Sequence, residues 1–112
     1  MNWNIKEKVS YHLFLEEKEE IIAYLRILPK GISYPETAIG RVLTKAAYRK
    51  KGLAKEMMER AINFITATLK DKKIKISAQS YLVEFYKGFG FEPTSDIYLE
   101  DGIEHMEMLY QE

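Results

Sequence analysis

The chain has no cysteine in its 112 residues, which removes disulfide frameworks, thiolate metal sites and cysteine nucleophiles together. Proline and glycine are scarce, at three and six residues, and they never gather with serine into a linker. With no internal repeat and no low-complexity segment either, residues 1–112 read as one domain. An excess of charge of one sign is also missing. Seventeen basic and seventeen acidic residues cancel, so no global field draws the chain to nucleic acid or to a membrane. The opening MNWNIKEKVS lacks an apolar core of signal-peptide length, and no run approaches the roughly 20 apolar residues of a spanning helix. The cytoplasm is therefore the expected compartment. What is present, 46% hydrophobic and 30% charged residues, is the balance of a globular domain that needs no metal or disulfide staple.

Periodicity supplies the elements. Val9, Tyr11, Leu13 and Leu15 alternate with Ser10, His12, Phe14 and Glu16, the pattern of a strand. After the charged turn 16–20, residues 21–28 form an apolar run broken mainly by Arg26, a more buried strand that closes a hairpin. Residues 29–37, with Gly31 and Pro35, are a loop, and 38–44 a third strand. Leu53, Met57, Ala61, Ile65 and Leu69 then recur at four-residue spacing, the stripe of a long amphipathic helix. Ile74, Ile76 and Ala78 mark a strand, and 81–88 a short helix expected to bury Leu82 and Phe85. A strand over 91–99 is interrupted at Pro93, Asp101-Gly102 signals a hairpin, and Met106, Met108 and Tyr110 alternate in a last strand. The order β-β-β-α-β-α-β-β implies an α/β fold with a mixed sheet, antiparallel in its first half, and a crossover helix after the third strand.

The stretch richest in chemistry joins that third strand to the long helix. Arg49, Lys50, Lys51 and Lys55 cluster where the helix begins. Cations oppose the macrodipole at a helix N-terminus, whereas an anion there is held by free backbone N–H groups. Basic pairs are commonly no more than solvated surface charge. The strand, loop and helix context favours an anion site, and Gly52 would let a phosphate approach the backbone. Rival motifs fail. Gly88-Phe-Gly-Phe-Glu-Pro93 lacks the third glycine of a dinucleotide fingerprint, no phosphate loop or G-x-S-x-G elbow exists, and two distant histidines make no metal site.

Arg49-Lys50-Lys51-Gly52-Leu53-Ala54 resembles the R-x-x-G-x-G/A signature of the GNAT acetyltransferases. The resemblance implies that this loop and helix start bind the pyrophosphate of acetyl-CoA, with Arg49, Lys50, Lys51, Gly52, Leu53, Ala54 and Lys55 as contacts. It also implies that the strand before it pairs with the pantetheine amides, Val42 and Leu43 acting through main chain on the thioester carbonyl. Downstream, Gln79-Ser-Tyr-Leu-Val-Glu-Phe-Tyr-Lys-Gly-Phe-Gly-Phe91 is similar to the family's N-x-x-A-x-x-L-Y-x-x-x-G-F motif. Tyr86 falls on its tyrosine and Gln79 replaces its asparagine. Gln79, Leu82 and the segment Glu100-Asp-Gly-Ile-Glu-His105 resemble the ElaA-like branch. The family ordinarily places a strand and two helices before the strand that begins at Val9, and here only MNWNIKEK precedes it.

The implied function is acetyl transfer to a primary amine, by direct attack since no cysteinyl acyl-enzyme can form. An ammonium with a pKa near 10.4 must lose a proton first. By the resemblance Tyr86 is the acid for the departing thiolate, although spacing alone would make it a core aromatic. His105 is a candidate base, with His12, Glu104 or a water chain as rivals. No metal is expected. The acceptor is a small molecule or a protein amine, and an uncovered sheet edge or apolar face suggests a homodimer. Two further possibilities stand beside the enzyme: a non-catalytic acyl-CoA-binding or protein-interaction module that keeps the GNAT core, and a structural domain that binds no coenzyme A.

Overall fold

Alternating and apolar runs early in the chain fold as an antiparallel meander, because each half-buried strand needs a neighbour for its backbone and one apolar layer for its inner face. In the computed structural model, which describes residues 1–49 and 52–112, β1 (Asn2–Glu7), β2 (Tyr11–Glu17), β3 (Glu20–Leu28) and β4 (Thr37–Thr44) are successive neighbours. Helix α1 (Leu53–Asn63), continued by a π-helical turn over Phe64–Thr68, crosses to β5 (Lys73–Gln79), which runs parallel to β4. A 3₁₀ turn and the short helix α2 (Val83–Lys87) lead to β6 (Phe91–Pro93), β7 (Tyr98–Glu100) and β8 (Ile103–Gln111). The eight strands form one open sheet in the order β1-β2-β3-β4-β5-β8-β6, with β7 also paired to β8. Among the described residues no helix is long and apolar enough to cross a membrane.

Three details depart from the sequence pattern. The residues before Val9, to which periodicity assigns no element, form β1 in register with all of β2 up to Asn2↔Glu16. Trp3 anchors it: its indole N–H donates to the Glu56 carboxylate on α1 at 3.0 Å, and the Arg60 guanidinium sits 5.1 Å from the ring centroid. Val9 lies at the tip of the β1–β2 turn, 84% exposed, so the strand expected from Val9 starts at Tyr11. In α2 the residue that enters the core is Tyr86, while Leu82 and Phe85 stay half-buried. The 3₁₀ turn over Ser80–Leu82 rotates the chain by more per residue than an uninterrupted α-helix would, which shifts the face that is buried.

The core lies between α1 and the sheet. Leu53, Met57, Ala61 and Ile65 of the expected stripe are buried together with Met58 against Leu13, Leu15, Leu25 and Ile27, and Leu69 at its end is half-buried. Beneath this layer the start of β4 is tied to the turn after the helix. The buried Thr37 hydroxyl donates to the Asp71 carboxylate at 2.6 Å, and Lys30 Nζ pairs with it at 2.9 Å. Burial pushes the Asp71 pKa up, but the Thr37 hydrogen bond and the Lys30 ammonium outweigh it and hold the group below its ordinary value. A depressed folded-state pKa stabilises above the unfolded value and loses that contribution as pH falls through the folded one. Thr37→Val is therefore expected to destabilise the fold by about 1–3 kcal/mol at pH 7. Urea denaturation should show this gap closing below about pH 4. A gap of the same size at both pH values would assign the loss to packing rather than to the carboxylate.

One irregularity positions the site. Tyr24 pairs with Leu43 and Arg26 with Gly40, so three steps along β4 face two along β3. The extra residue is a β-bulge, with Arg41 at φ 55° in the left-handed region. On its other edge β4 pairs with β5 only at Thr37↔Ile74 and Ala38↔Lys75. Beyond Ala38 the two strands part.

Candidate active site

Where β4 and β5 diverge, a cleft of about 620 Å³ opens. The backbone of Gly40–Leu43 forms one wall, and its β5-facing edge has no strand partner. A free strand edge is a ready acceptor for another extended chain carrying amides. Val42, Leu43, Gln79, Tyr86 and His105, singled out from the sequence on four different elements, all line this cleft.

The remaining candidates line a neighbouring hollow of about 320 Å³, among them Arg49, Gly52, Leu53, Ala54 and Lys55, with Thr44, Tyr48 and Phe85. Lys50 and Lys51 lie outside the described residues. The two hollows adjoin: Leu43 lines the first and Thr44 the second, and Tyr86 and Phe85 stand in the same relation. Gly52 caps α1 at φ 74°, in open space, so the left-handed backbone rather than steric room demands glycine there. The first helical hydrogen bond, Glu56 N–H to Gly52 O at 3.0 Å, leaves the N–H groups of Leu53, Ala54 and Lys55 without helical partners, and among the described residues no side chain caps them. Arg49 folds back to donate from Nε to Thr44 O at 3.2 Å, which holds its charge beside the strand end.

Inside the cleft, Tyr86 is 6% exposed, and burial, with a smaller effect of Tyr81, pushes its pKa up to about 12. It stays a neutral donor throughout the physiological range. His105 is 7% exposed, and its Nδ1 lies 2.8 Å from Ile103 O. A carbonyl only accepts, so Nδ1 carries a hydrogen, and the tautomer this selects has its lone pair on Nε2. Glu100 Oε2 is 3.6 Å from that Nε2 and Tyr98 stacks on the ring at 6.2 Å. Around them Ser77 is hydrogen-bonded to Tyr98 and donates to Glu100 at 3.2 Å. Of the rival bases, His12 is hydrogen-bonded to Tyr24 at 2.6 Å on β2, and Glu104 accepts from Ser80 at 3.5 Å; neither lines the cleft.

Sequence reasoning assigned nothing to Arg26, Tyr34, Ser77 or Tyr98, although Arg26 and Tyr34 line the cleft as Ser77 does. The one signal available was Arg26 itself, a lone charge inside an apolar run. Among the described residues no group of three or more histidine and acidic side chains is placed to hold a metal.

Residues 1–111 match the model of an acetyltransferase (GNAT) domain, and the chain belongs to that family. Within the family its likeness falls to the ElaA-like branch. It is 34% identical to protein ElaA of Escherichia coli over 97 residues, 87% of this chain and 63% of ElaA. The ElaA crystal structure superposes with a TM-score of 0.83, covering 91% of this chain and 68% of that one. An acyl-CoA N-acyltransferase from Pseudomonas aeruginosa superposes at 0.85 with 34% identity, over 90% and 68% of the two chains. A UPF0039 protein from Synechocystis is 36% identical over 106 residues, 94% of this chain and 69% of that protein. The chain thus spans about two thirds of the length of these relatives, and less than that of ElaA.

Proposed function

We propose that the chain is an acetyl-CoA-dependent N-acetyltransferase that moves acetyl directly to a primary amine. The observation that carries this reading is the convergence of an unpaired β4 edge, a protonated Tyr86 and a tautomer-fixed His105 on one cleft that adjoins an uncapped, basic helix start. These residues fit the coenzyme: the α1 N-terminus with Arg49 and Lys55 suits a diphosphate, and the free edge of β4 suits the amides of the arm. Acetyl-CoA would supply the activated acetyl group as its thioester.

The chain's own residues then divide the work. The N–H groups of β4 beyond the bulge are fixed dipoles at the carbonyl to be polarised, and they require no reorganisation during the reaction. His105 takes a proton from the acceptor ammonium at Nε2, and Glu100 stabilises the imidazolium that results. Tyr86 donates a hydrogen bond to the departing sulfur. A tyrosine with a pKa near 12 is a weaker acid than a thiol, near 8.5. Tyr86 therefore stabilises the thiolate in the transition state, and full protonation of the sulfur is left to solvent. Tyr86→Phe is expected to lower kcat by about 10–100-fold with little change in acetyl-CoA affinity. Unaltered turnover across pH would remove Tyr86 from the mechanism.

The reading as a whole is tested by isothermal titration with acetyl-CoA, followed by thiol release with a panel of amines. Binding with release supports the enzyme. Binding without release across the panel would favour the non-catalytic acyl-CoA-binding module, and no binding would overturn both.

A further inference from the structure

Of the charged residues lining the cleft, Arg26, Arg41 and Asp101 are left unused by the proposed reaction, and among these three only Arg26 is not exposed to solvent. It sits on β3 between Leu25 and Ile27, which are fully buried in the α1 core, so its side chain emerges on the opposite face of the sheet and reaches the cleft. Its Nε is buried and has no hydrogen-bond partner, and no ion pair joins it to a described carboxylate. A buried donor left unsatisfied is costly, and at this position a leucine would avoid the cost. The diphosphate hollow does not explain it. Arg26 pairs with Gly40, four residues or about 13 Å along β4 from Thr44, the strand residue that lines the diphosphate hollow.

The cleft is also polarised. Arg26 lines it from β3 and Arg41 from β4, whereas Glu100, Asp101 and His105 form the wall on the β7–β8 side, where Tyr34 is hydrogen-bonded to Tyr98. The edge of a guanidinium that presents Nε–H beside one Nη–H is the edge that holds a carboxylate through two parallel hydrogen bonds. The opposite wall suits an ammonium. We infer that the acceptor is a small zwitterion, an amine that also carries a carboxylate, with its nitrogen at His105 and Glu100 and its carboxylate on Arg26. This rests on the acetyltransferase reading and names the substrate class of the same site. Arg26 would act as a specificity determinant and take no part in the chemistry.

Adducts in which the sulfur of CoA is joined through an acetyl linker to an acceptor nitrogen test this without turnover. Those of glycine, β-alanine and 4-aminobutanoate would be compared by isothermal titration with those of methylamine, ethylamine and propylamine, their matches without the carboxylate. In the best-fitting pair the carboxylate adduct should bind wild-type protein at least about tenfold more tightly than its match. Arg26→Gln should abolish that advantage while leaving the affinity for CoA itself unchanged, and Arg26→Lys should restore part of it. If no carboxylate adduct exceeds its match on wild-type protein, the zwitterion is wrong, whatever the variants do. An advantage that survives in Arg26→Gln overturns the assignment of Arg26. Absence of heat with CoA alone has a different meaning: it removes the coenzyme site, and this inference with it.

Discussion

Replacing His105 with alanine is expected to lower kcat/KM for amine acetylation by two to four orders of magnitude, the range over which a positioned general base contributes. The affinity for acetyl-CoA should not change, because His105 lies on the acceptor wall and the diphosphate hollow does not include it. The pH dependence separates a base from a packing residue. An acceptor ammonium with a pKa near 10.4 loses its own proton as the solution becomes alkaline, and a base is then needed less. The deficit of His105→Ala should therefore shrink as pH rises toward 10, whereas a merely structural loss would persist at every pH. Glu100→Gln should show a weaker form of the same behaviour, since Glu100 is 3.6 Å from Nε2 and half exposed, where water screens its charge.

The second large effect is expected at the other end of the site. Arg49→Glu combined with Lys51→Glu should weaken acetyl-CoA binding by about 100-fold or more, because each reversal removes one attraction to the phosphates and adds one repulsion. Acetyl-pantetheine, which lacks the phosphates, should bind the double variant and the wild-type protein equally. The wild-type affinity for acetyl-CoA should also fall with added salt more steeply than that of the variant. Equal affinity of the two proteins for acetyl-CoA at low salt would remove the phosphate site and leave the cleft without a reason to bind the coenzyme. The contribution of Arg49 is supported by its hydrogen bond to Thr44 O, which keeps the guanidinium at the strand end. That of Lys51 rests on its position next to the cap residue Gly52.

Much of this was legible in local patterns. The helix from Leu53 onward, the buried run of β3 and the Asp101-Gly102 turn each follow from spacing or turn chemistry within a few residues. The strand at Asn2–Glu7 was not legible in that way. Its residues are mostly exposed and do not alternate, and it exists because β2 offers an edge and Trp3 reaches Glu56, 53 positions away. The same limit hid Arg26: a single arginine in a strand has no local signature of purpose, and its meaning depends on which side of the sheet is open.

By itself the sequence determined the order of elements from β2 to α2, the basic start of α1 with its glycine cap, and the residue types able to bind a diphosphate and move a proton. These depend on side-chain periodicity and on groups adjacent in the chain. Only the tertiary structure decided that Tyr86, His105, Arg26 and the free edge of β4 meet in one cleft. That meeting follows from one extra residue in β4 and from two pairs, rather than a full ladder, between β4 and β5. Bulges and truncated ladders are set by hydrogen bonds between strands far apart in sequence, and no local pattern encodes them.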